Sequence, residues 1–236
     1  MQYPNVNLQV LTPSPQPVDP DMLRRLVRLD ETADPDDLNA LEDLRVQALN
    51  IAQPKAAYTV VPIDAHGTDV TELAGVRFTS ALLAENLRAC DVCVPYVATC
   101  GTELDEWADC LTDPLAQYWA DTLMAQYLRQ AHAALNDAMR EVFGGAKYAS
   151  MNPGSLPQWP ITEQKPLFTL LGGVPYSSGI RLPEGIGVRL TDACLMLPAK
   201  SGSGIFFLNE TGYVNCRLCP KERCPNRRAP YEKQNT

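Results

Sequence analysis

The chain has 236 residues, a formal net charge of -8, and a composition of 45% hydrophobic and 20% charged residues. That is an ordinary globular balance in a chain long enough to bury a core, and it argues against nucleic acid, whose phosphates call for a basic face that the sequence supplies only near its C-terminus. No segment approaches the roughly 20 apolar residues of a membrane span.

The N-terminal stretch from Met1 to Val18 is polar and proline-rich with no apolar signal core, so residues 1–18 are expected to be a flexible tail and the protein cytoplasmic. In that compartment eight cysteines are expected to serve as thiols, metal ligands or redox groups rather than structural disulfides.

Asp19-Pro20 reads as an N-cap and first helical position, with Leu23, Leu26 and Val27 on one face. Asp34-Pro35 repeats the signal and predicts a second helix to about Ala52, its apolar stripe running through Leu38, Leu41, Leu44, Ala48 and Ile51. A strand is expected over residues 57–63, a polar loop over 65–68, a short helix over 80–87 and a second strand over 92–99.

Thr102 and Asp105 have the spacing of a capping box for a short helix through Trp107. Pro114 then opens the longest helix, whose stripe of Met124, Leu128, Ala131, Leu135, Ala138 and Val142 ends at Gly144-Gly145. Beyond it, short apolar runs at 186–190, 194–197 and 205–208 predict strands, with one helix near 162–171. Helices first and strands later, without βαβ alternation, give an α+β fold, here taken as a single domain over residues 19–209 followed by a Cys-rich C-terminal extension over 210–236.

Four blocks carry a resemblance: PKAAYTVVPI (54–63), CDVCVPYVATCGTELDEW (90–107), MNPGSLPQWPITEQKPLFTLLGG (151–173) and IGVRLTDACLMLPAKSGSGIFF (186–207). Together they resemble the activation-domain family of cobalamin-dependent methionine synthase and its shorter stand-alone relatives. The resemblance implies a curved antiparallel β-sheet with flanking helices. It also implies a role beside a corrinoid-bearing partner or cobalamin-dependent methyltransferase, with the cobalamin carried by that partner. In the synthase, the domain holds S-adenosylmethionine and meets the cobalamin domain when the cofactor has been oxidised to cob(II); an external electron and the S-adenosylmethionine methyl group then restore methylcobalamin. A held donor suits this chemistry, because the reduced cobalt reoxidises easily and must be trapped at once.

The resemblance places candidate cofactor contacts at Asn152, Pro153, Gly154 and Glu163. The family pattern Arg-x-x-Pro-Gly-Tyr is kept only in its turn. Ser150 stands where the arginine would be and Ser155 where the tyrosine would be, and serine supplies neither a bidentate grip on a carboxylate nor an aromatic face. That weakens the case for S-adenosylmethionine at this loop.

Cys216-x-x-Cys219-x-x-x-x-Cys224 can supply three thiolates to an iron-sulfur cluster or a zinc ion, with Pro220 and Pro225 limiting the loop. The fourth ligand would come from Cys90, Cys93, Cys100, Cys110 or Cys194, with Cys93 the chosen candidate, although a cysteine in a buried strand needs no functional explanation. A redox pair of Cys216 and Cys219 is the alternative, and Arg217, Lys221, Arg223, Arg227 and Arg228 would favour thiolates in either case.

Other motifs carry less. Asp64-Ala-His66 lacks the correctly placed glycine of a corrinoid axial-histidine motif, so His66 reads as a loop residue. His132 has no metal-spaced companion, Ser201-Gly-Ser-Gly204 lacks a P-loop lysine and reads as a turn, and Glu103, Asp105, Glu106 and Asp109 read as a solvated face. The resemblance and the cysteine spacing together imply an activator of corrinoid methyl transfer with a C-terminal iron-sulfur relay. The competing readings are an S-adenosylmethionine-dependent methyltransferase acting on a corrinoid and a zinc-stabilised structural subunit.

Overall fold

The computed structural model describes residues 7–30, 32–210, 212–221, 223–224 and 227–232. Pro225, expected to stiffen the cysteine loop, lies outside them, as do the outer ends of the expected N-terminal tail and of the C-terminal extension.

Residues 7–18, expected to be loose, carry β1 (Gln9–Leu11) and end at the buried Val18. Both Asp-Pro starts are observed. α1 (Pro20–Val27) and α2 (Pro35–Ile51) begin where Asp19 and Asp34 accept backbone N–H bonds from Met22 and Asp36. The expected strand over 57–63 is split into β2 (Lys55–Tyr58) and β3 (Val61–His66), the break at Thr59–Val60 being held by Thr59 N–H on the Pro95 carbonyl. The polar loop expected after it is instead the turn of a hairpin formed by β3 and β4 (Val70–Leu73), which continues into β5 (Val76–Thr79).

α3 (Ala81–Leu87) is capped by Ser80, β6 (Val92–Thr99) follows, and α4 (Thr102–Asp109) leads into α5 (Pro114–Val142). The expected capping box at Thr102 does not form. Thr102 is already helical, and the cap position is Gly101, whose φ of 100° brings it against the Gln53 carbonyl where a side chain would collide. The second half contributes β7 (Tyr148–Met151), a 3-10 turn at Ile161–Glu163, α6 (Gln164–Leu170), β8 (Val174–Tyr176), β9 (Gly179–Arg181), β10 (Arg189–Thr191), β11 (Met196–Leu197), β12 (Ser201–Leu208) and the one-turn α7 (Asn215–Leu218).

β6 is the axis of the main sheet. β12 and then β7 lie on one side of it; β2 and β3 lie on the other, extended by β1 and by the β4–β5 hairpin, and every pairing is antiparallel. β8 to β11 form a second antiparallel sheet. The fold is thus the expected α+β class, a curled antiparallel sheet with flanking helices.

Alternation along β6 sets its two faces. Val94, Tyr96 and Ala98 meet Ala131, Leu135 and Met139 of α5, whereas Cys93 and Val97 join Leu83, Trp159, Phe168 and Phe207 beneath the opposite face. The middle of the α5 stripe predicted from sequence, Leu128, Ala131, Leu135 and Ala138, covers the sheet, whereas Met124 packs in a separate cluster with α1 and α2 and Val142 is exposed.

Candidate functional site

The Pro153-Gly154 loop follows β7 at the margin of the main sheet and is fixed from several directions. Gly154 adopts φ of 80°, its N–H donates to the Trp159 carbonyl at 2.7 Å, and an added Cβ would lie 2.6 Å from Ile161 Cδ1. Trp159 is fully buried with its ring tilted against Phe78, so the loop hangs from a core aromatic. Ser80 Oγ donates to the Gln158 carbonyl at 2.7 Å, tying the α3 cap to the same loop.

Asn152 faces the sheet. Its Nδ2 donates to the Tyr96 hydroxyl and to the Ser203 carbonyl, each at 2.7 Å. Tyr96 reaches it across β12 at Gly204, its partner in register: a Cβ on Gly204 would stand 2.9 Å from the Tyr96 hydroxyl and 2.3 Å from the Met151 carbonyl. Gly202 performs the same service for His132, whose Nε2 would lie 3.0 Å from an added Cβ. Ser201-Gly-Ser-Gly204 is therefore part of β12 rather than the expected turn, and its glycines are where two side chains cross the strand.

Burial sets the protonation of this pair. It raises the Tyr96 phenol above its usual range, and it lowers His132 below the ordinary histidine value, with the Arg228 charge acting in the same direction on the imidazole. Both rings are uncharged near neutrality and stand nearly edge-on, with centroids 6.0 Å apart.

The four residues named from sequence as cofactor contacts gather here, with different duties. Asn152 and Gly154 hold the loop as described, and Pro153 is buried between them. Glu163 Oε2 accepts the Thr79 N–H at 2.9 Å, joining the end of β5 to the turn before α6.

The C-terminal extension closes on the same margin. Ser155 Oγ donates to Asn215 Oδ1 at 3.4 Å, Asn215 Oδ1 also receives the Tyr213 hydroxyl at 2.9 Å, and the Tyr213 ring tilts against Phe207 of β12. Arg227 organises the cysteine loop. Its guanidinium donates to the carbonyls of Cys216, Cys219, Lys221 and Ala229 at 2.6 to 2.9 Å, while its N–H donates to the Cys224 carbonyl. One arginine thus gathers the backbone of all three C-terminal cysteines.

Their thiols are half-buried, and among the described residues no group of three or more histidine, cysteine, aspartate or glutamate side chains is arranged to hold a metal ion. Cys93, named as fourth ligand, sits fully buried in the core beneath β6, where desolvation pushes its thiol far above the usual range. Cys216 Sγ accepts the Arg228 N–H at 3.4 Å.

The acidic face of α4 is only partly solvated. Glu103 pairs with Lys55 at 3.3 Å, and Asp105, its carboxyl raised by burial, lines a cleft of about 420 Å³ together with Glu106, Asp109, Arg181 and Arg189. No residue of the Pro-Gly loop lines that cleft.

No sequence motif marks Tyr96, Ser203 and Arg227 as parts of one region. The Gly-x-Gly pair inside an otherwise apolar strand was the available signal for a side chain crossing overhead.

No protein-family profile and no curated protein matches the sequence. Among solved structures the chain is similar to the crystal structure of the MetH reactivation domain bound to AdoHcy, with a TM-score of 0.57 and 16% identity, over 90% of this chain and 81% of that one. The chain has the fold of that domain. Among the described residues no helix is long and apolar enough to cross a membrane.

Proposed function

We propose that this chain, built on the reactivation-domain fold, is an accessory protein of cobalamin-dependent methyl transfer. In this reading it docks on a corrinoid-bearing partner and supports return of the oxidised cofactor to its methylated form. The observation that carries the reading is fold likeness over 90% of the chain to a domain crystallised with AdoHcy. The Pro-Gly loop is the segment on which the sequence resemblance to that family places the S-adenosyl ligand.

The chemistry to be supported balances simply. A corrinoid held by the partner would supply the methyl acceptor, an external donor would supply the one electron that readies it, and S-adenosylmethionine would supply the methyl group and depart as AdoHcy. The part proposed for this chain is to bind the donor at the Asn152–Gly154 loop, whose Gly154 turn and Asn152 hydrogen bonds are fixed before any ligand arrives. The test is to immobilise the purified chain, expose it to a soluble extract of its source cell, and read the visible spectrum of the eluate. Retention of a corrinoid-bearing protein is the expected result; an eluate free of corrinoid contradicts the reading.

An electron relay through the C-terminus is a second, finer proposal. It is supported by the spacing of Cys216, Cys219 and Cys224 and by the way Arg227 draws their backbone segments together. The thiols would still have to converge, so the cluster would form by rearrangement of this loop. Anaerobic reconstitution with iron and sulfide would give a cluster absorption near ~400 nm if the relay is real; a colourless product rejects it.

A further inference from the structure

We infer that the cleft of about 420 Å³ between α4 and the second sheet is a binding site for a small zwitterion, a free α-amino acid with an aliphatic side chain. The inference is independent of the accessory role proposed above and of the Pro-Gly loop, none of whose residues lines this cleft.

Strand register makes one wall basic. Leu197, Arg189 and Arg181 stand directly opposite one another on β11, β10 and β9, so they share one face of the second sheet, and all three line the cleft. Two like charges in direct cross-strand opposition weaken a sheet. Among the described residues neither guanidinium enters an ion pair that would offset that cost. Arg181 Cζ instead lies 5.2 Å from the centroid of the Tyr176 ring, a stacking that positions the group and leaves its N–H donors unused.

The opposite wall is acidic. Asp105 and Asp109 lie one turn apart on α4 with Glu106 beside them, and none of the three reaches an arginine across the cleft within ion-pair distance. Two rows of opposite charge thus face each other over a space that neither spans. The bottom is apolar, formed by the buried Leu182, Val188 and Pro198. It is also set in advance: Leu182 N–H donates to the Val188 carbonyl and Ile186 N–H to the Pro183 carbonyl, each at 3.0 Å. Gly187, at φ of 73°, brings this loop against α4, where an added Cβ would lie 3.1 Å from Thr102 Cγ2.

This arrangement selects the class of ligand. A simple anion suits the arginines and is repelled by α4, and a simple amine meets the reverse. An α-amino acid satisfies both walls, with its carboxylate on Arg181 and Arg189, its ammonium on Asp105 and Asp109, and its side chain on the apolar bottom.

Calorimetric titration of the full chain tests this with L-leucine as the probe. Isocaproate keeps the leucine side chain and carboxylate without the amine, and isoamylamine keeps the side chain and amine without the carboxylate. The proteins are the native chain, Arg189→Gln, Asp105→Asn and the control Arg77→Gln, an exposed arginine outside the cleft. L-leucine affinity should fall roughly ten- to a hundredfold in Arg189→Gln and in Asp105→Asn and stay native in Arg77→Gln. Isocaproate and isoamylamine should each bind the native protein at least about tenfold more weakly than L-leucine. Because Arg189→Gln relieves the opposition with Arg181, that variant without ligand should melt no lower than the native protein. A lower melting temperature with unchanged L-leucine affinity shows that the arginine serves the fold and overturns the inference. So does absence of L-leucine binding by the native protein at millimolar concentration, equal affinity in the native protein and both cleft variants, or isocaproate binding as tight as that of L-leucine. Should Arg189→Gln fail to fold, Asp105→Asn alone decides by the same criteria. None of these outcomes bears on the accessory role.

Discussion

The Tyr96 hydroxyl accepts a 2.7 Å hydrogen bond from Asn152 Nδ2, and through it the axis strand of the sheet is fastened to the loop that carries Gly154. The bond spans β12, which lies between them, and it depends on a glycine at 204.

Replacing Asn152 by Ala removes donors from two acceptors, the buried Tyr96 hydroxyl and the Ser203 carbonyl. The expected loss is about 1–3 kcal/mol of folding stability, the cost of leaving buried polar groups unpaired. Urea denaturation checks it, and an unchanged midpoint would show that the bond adds nothing.

The two glycines of β12 should differ in their tolerance of a methyl group. A Cβ at 204 meets the Met151 carbonyl at 2.3 Å, so the β12–β7 pairing must shift, and Gly204→Ala should cost about 1–3 kcal/mol. A Cβ at 202 meets only the His132 ring, the end of a side chain that can move, so Gly202→Ala should cost clearly less. Parallel thermal melts of the two variants decide it.

His132 predicts a pH dependence with a definite sign. Its folded-state pKa is lowered by burial and by Arg228, so below the ordinary histidine range the unfolded chain binds a proton that the folded chain resists. This contribution to stability is fully present at neutral pH and above. It falls as pH drops through the unfolded value of about 6.5 toward the lower folded one. Stability measured from pH 7.5 to 5 should decline less steeply in His132→Gln than in the native protein.

Thiol reactivity should divide the cysteines into two sets. Cys110 is exposed and Cys216, Cys219 and Cys224 are half-buried, whereas Cys90, Cys93, Cys100 and Cys194 are buried. Burial raises Cys90 and Cys93 and pushes Cys100 up to about 12, so little thiolate is present at those three near pH 8. Mass spectrometry after brief iodoacetamide treatment should find label on the first four. Protection of Cys216, Cys219 and Cys224 together after iron and sulfide treatment would mark a cluster.

Much of this fold was legible because its signals are local. Asp19-Pro20, Asp34-Pro35 and Asp113-Pro114 each place a cap acceptor before a proline that needs no hydrogen-bond donor, and α1, α2 and α5 begin there. The hairpin of β4 and β5 was missed because its strands have four residues each and turn at Ala74-Gly75, both at positive φ, a turn signal masked by the surrounding mixed polarity.

The candidate site was legible only in part. Pro153-Gly154 stood out as a motif, but the Tyr96–Asn152 bond joins residues 56 apart and the Ser155–Asn215 bond joins residues 60 apart, and no local pattern encodes such pairings. Arg227 was counted as one charge among five near the cysteines, because sequence cannot show that one side chain will meet four carbonyls.

The most direct measurement of the central claim is recovery of methylcobalamin on the captured corrinoid protein. That protein, in its cob(II) state, is mixed with a one-electron donor and S-adenosylmethionine, with and without this chain, and methylcobalamin is quantified by chromatography. Faster recovery with the chain, and loss of that gain on its omission, is the predicted result. Equal recovery in both reactions would contradict the account.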